Sequence, residues 1–584
     1  MNQKSCAVIF LLVTNSLLSF TSASDKKWWE HATIYQIYPR SFQDSNGDGI
    51  GDLTGITSRL NHLADIGVNT IWMSPMFQSP LKDFGYDVSD FYNIHDEYGT
   101  MADFDNFLQT ATSLGIHVLL DFVPNHSSDQ CEWFVQSLLR NPDYDEFYTW
   151  HNGHEIDGVK VPPNNWKSVF GGSAWTYRTE RDQWYLHQFY PEQPDLNYRN
   201  PAVIREMTNV LKFWMQKGVS GFRVDAINHM FEDPNFPDEP RNDWNNDPNS
   251  YDYVDHIYTK DLPETYEFIY DWRKMLDDFT SENSLPDKIL MTEAYANAEN
   301  TMRYYVSENG TLGANMPFNF QLIYLESGFD ARNIKGNIDF WLDNMPMGHT
   351  PNWVVGSHDH KRVASKLGSA FVGILNTVNL MLPGVSFTYY GEEIGMEDNY
   401  DFPISDSRDP NRTPMQWDGS VSAGFSTNSS TWLPVNNNYA TINLERLKTL
   451  SRSSYHHYKE LSSLRKEETI IDGDIRMKVL SRTLFAFTRE LPGHPTYLVI
   501  VNLDGSAVSV NLNNIFLNIP NPLTVAASAE LSRYRIGNEV QSTNIQLDGF
   551  DALVFRAAYS ASSASVKTIS LIVSVTVAIK MFIF

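Results

Sequence analysis

The chain has 584 residues and 42% hydrophobic content, enough for two or three packed domains. Its formal net charge is −27 and no basic, aromatic-interleaved stretch stands out, which excludes nucleic acid as a partner and leaves a neutral ligand unaffected. Of two cysteines, Cys6 falls in an N-terminal apolar leader, so Cys131 has no intrachain partner and is expected as a buried small hydrophobe.

Lys4 precedes an apolar run over 7–18 and small residues over 19–24, the pattern of a secretory leader cleaved just before Asp25. A strand is expected over 33–38. It is followed by Asp44-Ser45-Asn46-Gly47-Asp48-Gly49-Ile50-Gly51-Asp52. Oxygen side chains at positions 1, 3, 5 and 9, with Gly at 6, resemble the start of a calcium loop. Gly55 stands where an EF-hand needs its closing Glu, so the loop is not an EF-hand. A helix is expected over 53–66 and a strand over 70–73, and Gly85-Tyr86-Asp87 then lies on a loop. A strand over 115–123 leads into Asp121-Phe122-Val123-Pro124-Asn125-His126. Between His126 and Asn197 the strand–helix rhythm is lost and Trp, Tyr, Pro and Gly accumulate, up to Gln193-Pro194-Asp195-Leu196-Asn197.

The stretch 218–226, Gly-Val-Ser-Gly-Phe-Arg-Val-Asp-Ala, reads as a strand ending in an acid. Side chains alternate along a strand, so Arg223 and Asp225 point the same way. The arginine holds the aspartate ionised, as a carboxylate nucleophile requires, although a structural ion pair would look the same. Two more apolar runs end alike, 289–295 with Glu293 and 353–360 with His358 and Asp359. In an α/β barrel the C-terminal ends of different strands converge on one face. Three carboxylates meeting there would repel as pure structure. A glycosidase needs them: one attacks, one protonates the leaving oxygen, and others grip the sugar.

Beyond a strand over 385–390 come Arg408-Asp409-Pro410 and Arg412-Thr413-Pro414-Met415-Gln416-Trp417-Asp418. Short strands over 477–480, 484–487, 497–501, 508–512 and 552–555 predict a small antiparallel domain. Small polar residues over 560–565 and an apolar tail over 569–584, shorter than the roughly 20 residues of a spanning helix, match a glycosylphosphatidylinositol-anchor signal. Four sequons occur, at Asn125, Asn309, Asn411 and Asn428. Asn125 falls inside a catalytic motif, and Asn309 and Asn428 are the expected glycan sites.

These ordered motifs, from about Trp28 to about Phe555, resemble the α-amylase superfamily (glycoside hydrolase family 13). The resemblance is greatest to its α-glucosidase and oligo-1,6-glucosidase branch, and within that to membrane-anchored insect gut maltases. It implies an α/β fold: a (β/α)8 TIM barrel over 25–125 and 197–474, with an inserted domain B over 126–196 after strand three. A C-terminal antiparallel β domain over 475–557 follows, and then the anchor signal over 558–584. The implied reaction is exo-acting hydrolysis with retention, with Asp225 as nucleophile, Glu293 as acid/base and Asp359 binding hydroxyls. Tyr86, Asp87, His126, Arg223, His358 and Arg408 are implied at the substrate. Asp44, Asn46, Asp48, the Ile50 carbonyl and Asp52 are implied as ligands of a structural Ca²⁺, with Mg²⁺ as the alternative; no organic cofactor is expected. Family members usually read Asn-His-Asp-Gln where this chain has Ser357-His358-Asp359-His360. Ala226, directly after the nucleophile, accompanies α-1,4 rather than α-1,6 preference in this branch. Expected substrates are maltose and short malto-oligosaccharides, with sucrose open. The expected location is the outer face of the plasma membrane of gut epithelium, held by the lipid anchor. The competing reading is a cell-surface binding protein on the same fold, with a bacterial insecticidal toxin as its ligand; a homodimer is also open.

Overall fold

The computed structural model describes residues 26–558 apart from 517, 518 and 520. The leader and all but the first residue of the expected anchor segment lie outside the described residues. Among the described residues no helix is long and apolar enough to cross a membrane.

Eight parallel strands form one sheet: β1 (Thr33–Ile37), β2 (Thr70–Met73), β3 (His117–Phe122), β4 (Gly221–Val224), β5 (Ile289–Thr292), β6 (Met316–Pro317), β7 (Asn352–Trp353) and β8 (Val385–Tyr389). Their order is β6-β5-β4-β3-β2-β1-β8-β7, so the sheet curls towards closure between β6 and β7. Side-chain amides bridge that seam. Asn352 donates to the Pro317 carbonyl at 2.7 Å, and Asn319 donates to the Asn352 carbonyl at 2.9 Å. Seven of these strands are those expected from the sequence; β6, two residues long, is too short to show a period.

The strands are buried on both faces and lack the polar alternation of a half-exposed sheet. Ile34, Trp72, Leu119, Ile289, Met291, Val385 and Phe387 form an apolar cluster inside the barrel. Their outward neighbours Tyr35, Ile71, Val118, Leu120, Phe222 and Leu290 join the larger core with Leu60, Phe104, Trp214, Trp272 and Ile338. Those five belong to the surrounding helices α1 (Leu53–Asp65), α2 (Met101–Ser113), α3 (Pro201–Lys217), α4 (Pro263–Asn283) and α5 (Ala331–Asn344).

The delivery of β4 is written locally. Asn200 caps α3 by accepting from the Ala202 N–H, and Pro201 opens the helix with its φ already set. Gly218 ends it in the left-handed region, φ 111°, and turns the chain into β4. Gly221 lets β4 and β5 close up: a Cβ there would lie 2.2 Å from the Ile289 carbonyl oxygen. In this register Arg223 sits beside Asp121 of β3 and Met291 of β5.

Between β3 and α3 the chain forms a separate three-stranded antiparallel sheet of Trp150–His151, Gln183–Leu186 and Trp175–Arg178. It has its own cluster of Trp166, Ala174, Trp175 and Leu186. A bridge between His126 and Asp195 joins the two ends of this excursion. The C-terminal region is a six-stranded antiparallel sheet with its own apolar cluster. It includes Leu523–Ser528 and Glu539–Val540, which sequence reading did not pick out, and its buried Arg489 donates to the Met381 carbonyl at 3.0 Å. Cys131 is free and buried, and burial pushes its thiol up to about 11, which suits an inert packing residue.

Burial also holds several histidines neutral. His126 is lowered to about 3, and His117, His187 and His457 to about 4, from an ordinary value of 6.5. Below pH 6.5 the unfolded chain binds protons that the folded chain refuses, so stability rises with pH across this window and falls on acidification. The thermal midpoint should drop steadily between about pH 6.5 and 4, as followed by circular dichroism. A flat midpoint across that range would contradict neutral burial of these rings.

Candidate active site

The inward residues of the barrel change from apolar to charged towards the C-terminal ends of the strands. On β3, Leu119 is followed by Asp121; on β4, Gly221 by Arg223 and then Asp225; beyond β5, Met291 by Glu293. Arg223, only 2% exposed, is the centre of this layer. Its Nη1 donates to Asp225 Oδ1 at 2.6 Å and to Asp121 Oδ1 at 2.8 Å, and its Nη2 lies 2.8 Å from Glu293 Oε1. Its guanidinium also lies 5.1 Å from the Trp72 ring centroid, and the Trp72 indole donates to Asp121. Immediately after Asp225, Ala226 adopts the left-handed region with φ 47°, rare for a residue with a Cβ. That turn brings the Ala226 N–H within 3.3 Å of Glu293 Oε2.

Three carboxylates around one cation cannot all ionise cheaply. Burial pushes the Asp225 carboxyl well above the usual carboxylate range; Arg223 pulls it back, and Glu293 and Asp121 push it up again. Asp121 rises to about 6 for the same reasons, led by burial. Asp225 and Asp121 therefore oppose each other's ionisation across the one guanidinium they share.

Asp359 lies in a different environment. Burial works to raise its carboxyl, but His358, Arg412 and Arg408 outweigh burial and hold it well below the usual range. Arg412 Nη2 lies 3.0 Å and Arg408 Nη1 3.6 Å from Asp359 Oδ1. Gln36 places its amide nitrogen 2.8 Å from His358 Nδ1, so the network assigns the ring proton to Nε2. Nε2 faces the Tyr86 hydroxyl at 2.6 Å and Asp359 Oδ2 at 3.3 Å. Tyr86 stacks on His358, 5.6 Å between centroids and 6° between planes. His126 is buried behind them, with Nε2 3.2 Å from the Tyr86 carbonyl and 3.1 Å from Gln193 Nε2.

Eight of the nine expected catalytic and substrate residues therefore converge: Tyr86, His126, Arg223, Asp225, Glu293, His358, Asp359 and Arg408. Asp87 does not. It is fully buried and accepts from the Ser79 hydroxyl and the Lys82 and Asp83 N–H groups, so it ties its own loop together. The acid that this loop sends to the site is Asp83, which accepts from Arg408 at 2.9 Å. Asp83, Asp121 and Arg412 were missed as site residues. Asp121 had a readable signal, since it ends an apolar run exactly as far along its strand register as Arg223 does on β4. Asp83 had none, because loop residues carry no periodicity.

Two sequons are ruled out by burial: Asn125 and Asn411 point inward, and Asn411 donates to the His358 carbonyl at 2.8 Å. Asn309 is exposed, and Asn428 is half-buried with its side-chain oxygen accepting from the Ser430 N–H. In the loop after β1, Asp44 accepts from the Asn46, Gly47 and Gly49 N–H groups and the Ser426 hydroxyl, and Asp52 from Ser45 and Gly55. Among the described residues no group of three or more His, Cys, Asp or Glu is placed to hold a metal. The side chains and carbonyl implied as ligands are oxygen-only, a set that suits a hard cation.

Residues 36–474 match the family model described as "Alpha amylase, catalytic domain". The chain is 50% identical to an α-glucosidase of Culex pipiens over 567 residues, covering 97% of each. It is 47% identical to Maltase 1 of Drosophila virilis, covering 91% of this chain and 87% of that one. It resembles the crystal structure of Bacillus licheniformis trehalose-6-phosphate hydrolase with a TM-score of 0.77 at 30% identity, covering 91% of this chain and all of that one. A barrel whose strand ends deliver Arg223, Asp225, Glu293 and Asp359 to one face, together with these matches, places the chain in the α-amylase family of glycoside hydrolases.

Proposed function

We propose that the chain is a retaining, exo-acting α-glucosidase that releases terminal α-1,4-linked glucose from maltose and short malto-oligosaccharides. The observation that carries this reading is the shared guanidinium: Asp225 and Glu293 both lie within 3 Å of Arg223, at 2.6 and 2.8 Å. That supports the close spacing of about 5–5.5 Å that retention needs, rather than the wider spacing that leaves room for a water. The insect relatives bear names of the same activity, α-glucosidase and maltase.

In this reading the Asp225 carboxylate attacks the anomeric carbon, and the bond to the leaving oxygen breaks as Glu293 gives that oxygen its proton. Glu293 then takes a proton from water, whose oxygen displaces Asp225 and completes the product glucose. Arg223 orients both carboxyl groups. Asp359, Arg408 and the Nε2–H of His358 bind hydroxyls, and Asp83 joins them through Arg408. Asp87 is left out of this set because it lies fully buried and holds the Ser79 hydroxyl and the Lys82 and Asp83 N–H groups of its own loop. The loop Asp44, Asn46, Asp48, Ile50 and Asp52 would hold a structural Ca²⁺, or Mg²⁺. A rise in the thermal midpoint on adding calcium after chelation tests that assignment, and no rise would refute it.

Replacing Asp225 by Asn removes the nucleophile and keeps its shape. Hydrolysis should fall by several orders of magnitude while the thermal midpoint changes little. A folded D225N protein with near-normal turnover would sink the assignment.

Ala226 leaves more room for the leaving glucose than a β-branched residue would. A small pocket residue shifts specificity by about 1–3 kcal/mol, so this gives a preference and not an exclusion. Steady-state kcat/KM should rank maltose above isomaltose and both above starch. Isomaltose first would contradict the role of Ala226, and starch first would contradict the exo-acting reading.

A further inference from the structure

On its inward face β1 turns from apolar to polar at Gln36, two residues after Ile34, as β3 does at Asp121 and β4 at Arg223. Gln36 is buried, and its amide nitrogen meets two partners, Ser74 Oγ at 3.1 Å and His358 Nδ1 at 2.8 Å. Its amide oxygen is buried without any partner. An orphan acceptor costs stability and calls for a reason.

The reason lies at the far side of the His358 ring. Burial, helped by the guanidinium groups of Arg412, Arg223 and Arg408, holds that ring neutral against the opposing charge of Asp359. A neutral imidazole carries one proton. Asp359 Oδ2 lies 3.3 Å from Nε2, and a carboxylate can only accept. The proton therefore belongs on Nε2, and Nδ1 is left as a lone pair that needs a donor. The Tyr86 hydroxyl, 2.6 Å from Nε2, then accepts from the ring and aims its own proton at Asp121 Oδ2, 3.3 Å away. Every bond in this chain points one way, from Gln36 of β1 through His358 and Tyr86 to Asp121 of β3.

We propose that Gln36 is a positioning residue of the site: its amide N–H selects the Nε2–H form of His358, so that the ring offers a donor and not a lone pair to the sugar, and Tyr86 turns its proton to Asp121. This rests on the reading of His358 as a hydroxyl-binding group. An amide nitrogen suits the task because it only donates. A hydroxyl in its place would be free to turn and accept, which would allow the other tautomer, and a lysine would add a charge among three buried guanidinium groups.

Neutron diffraction from crystals of the unmodified protein in deuterated buffer reads the ring directly. Deuterium should appear on His358 Nε2 and not on Nδ1, with the deuterated amide of Gln36 facing the ring. Deuterium on Nδ1 alone, or on both nitrogens, would overturn the proposal. Kinetics test the consequence. Gln36→Met keeps the length of the side chain and removes the donor, and it should lower kcat/KM for maltose by roughly five- to fiftyfold. In a His358→Asn background the same change should cost less than about twofold, because no ring is left to orient. Equal losses in both backgrounds would mark a purely structural role and overturn the proposal, as would full activity in a folded Gln36→Met protein. If that variant does not fold, the deuterium position alone decides. Failure of the underlying activity would look different: the unmodified protein would not hydrolyse maltose, and the deuterium on His358 would still be readable.

Discussion

One guanidinium holds three carboxylates at the floor of the cleft. Arg223 touches Asp121, Asp225 and Glu293 within 2.8 Å, and each comes from a different, adjacent strand. A buried cation without partners would cost several kcal/mol, and so would three buried anions without a cation. The arrangement is therefore mutually enforcing. Removing the one cation would strand buried anions, which typically costs about 3–5 kcal/mol, whereas Arg223 keeps two acids if a third is neutralised, so geometry and stability are coupled through the arginine. Much else in the site follows from it. Gly221 allows β4 and β5 to approach, the left-handed turn at Ala226 aims a backbone N–H at Glu293, and Trp72 closes over the guanidinium.

A second charge system stands apart from the first. Asp359 takes Arg408, Arg412 and His358, and its carboxyl is held low while Asp225 and Asp121 are pushed high. Environments that push neighbouring acids in opposite directions divide the labour among them. Asp359 is the acid held charged by its cationic neighbours. Asp225 and Asp121 are pushed the other way by burial and by each other's charge.

Strand periodicity made the centre of this site legible. Arg223 and Asp225 are two apart, so they had to share a face, and the barrel turns that face inward. The same rule would have found Asp121. Loops carry no such rule. The loop before Tyr86 contains both Asp83 and Asp87, and only the fold decides that Asp87 spends its oxygens on backbone N–H groups while Asp83 meets Arg408. Short elements were equally opaque: β6 has two residues, and its seam with β7 is made by the side chains of Asn319 and Asn352 rather than by a ladder. His360 was visible as a departure from the family's pattern, but its place beside Tyr324 and Phe320 required two distant segments to be brought together.

In the proposed mechanism Asp225 is the group that bonds to the sugar. Incubation with a 5-fluoro-α-glucosyl fluoride, which forms the glycosyl-enzyme but releases it slowly, followed by proteolysis and mass spectrometry, would locate that bond. One fluoroglucosyl unit should appear on the peptide carrying Asp225, attached at that carboxylate. Attachment at Glu293 or Asp359, or turnover of substrate with no carboxylate labelled, would contradict it.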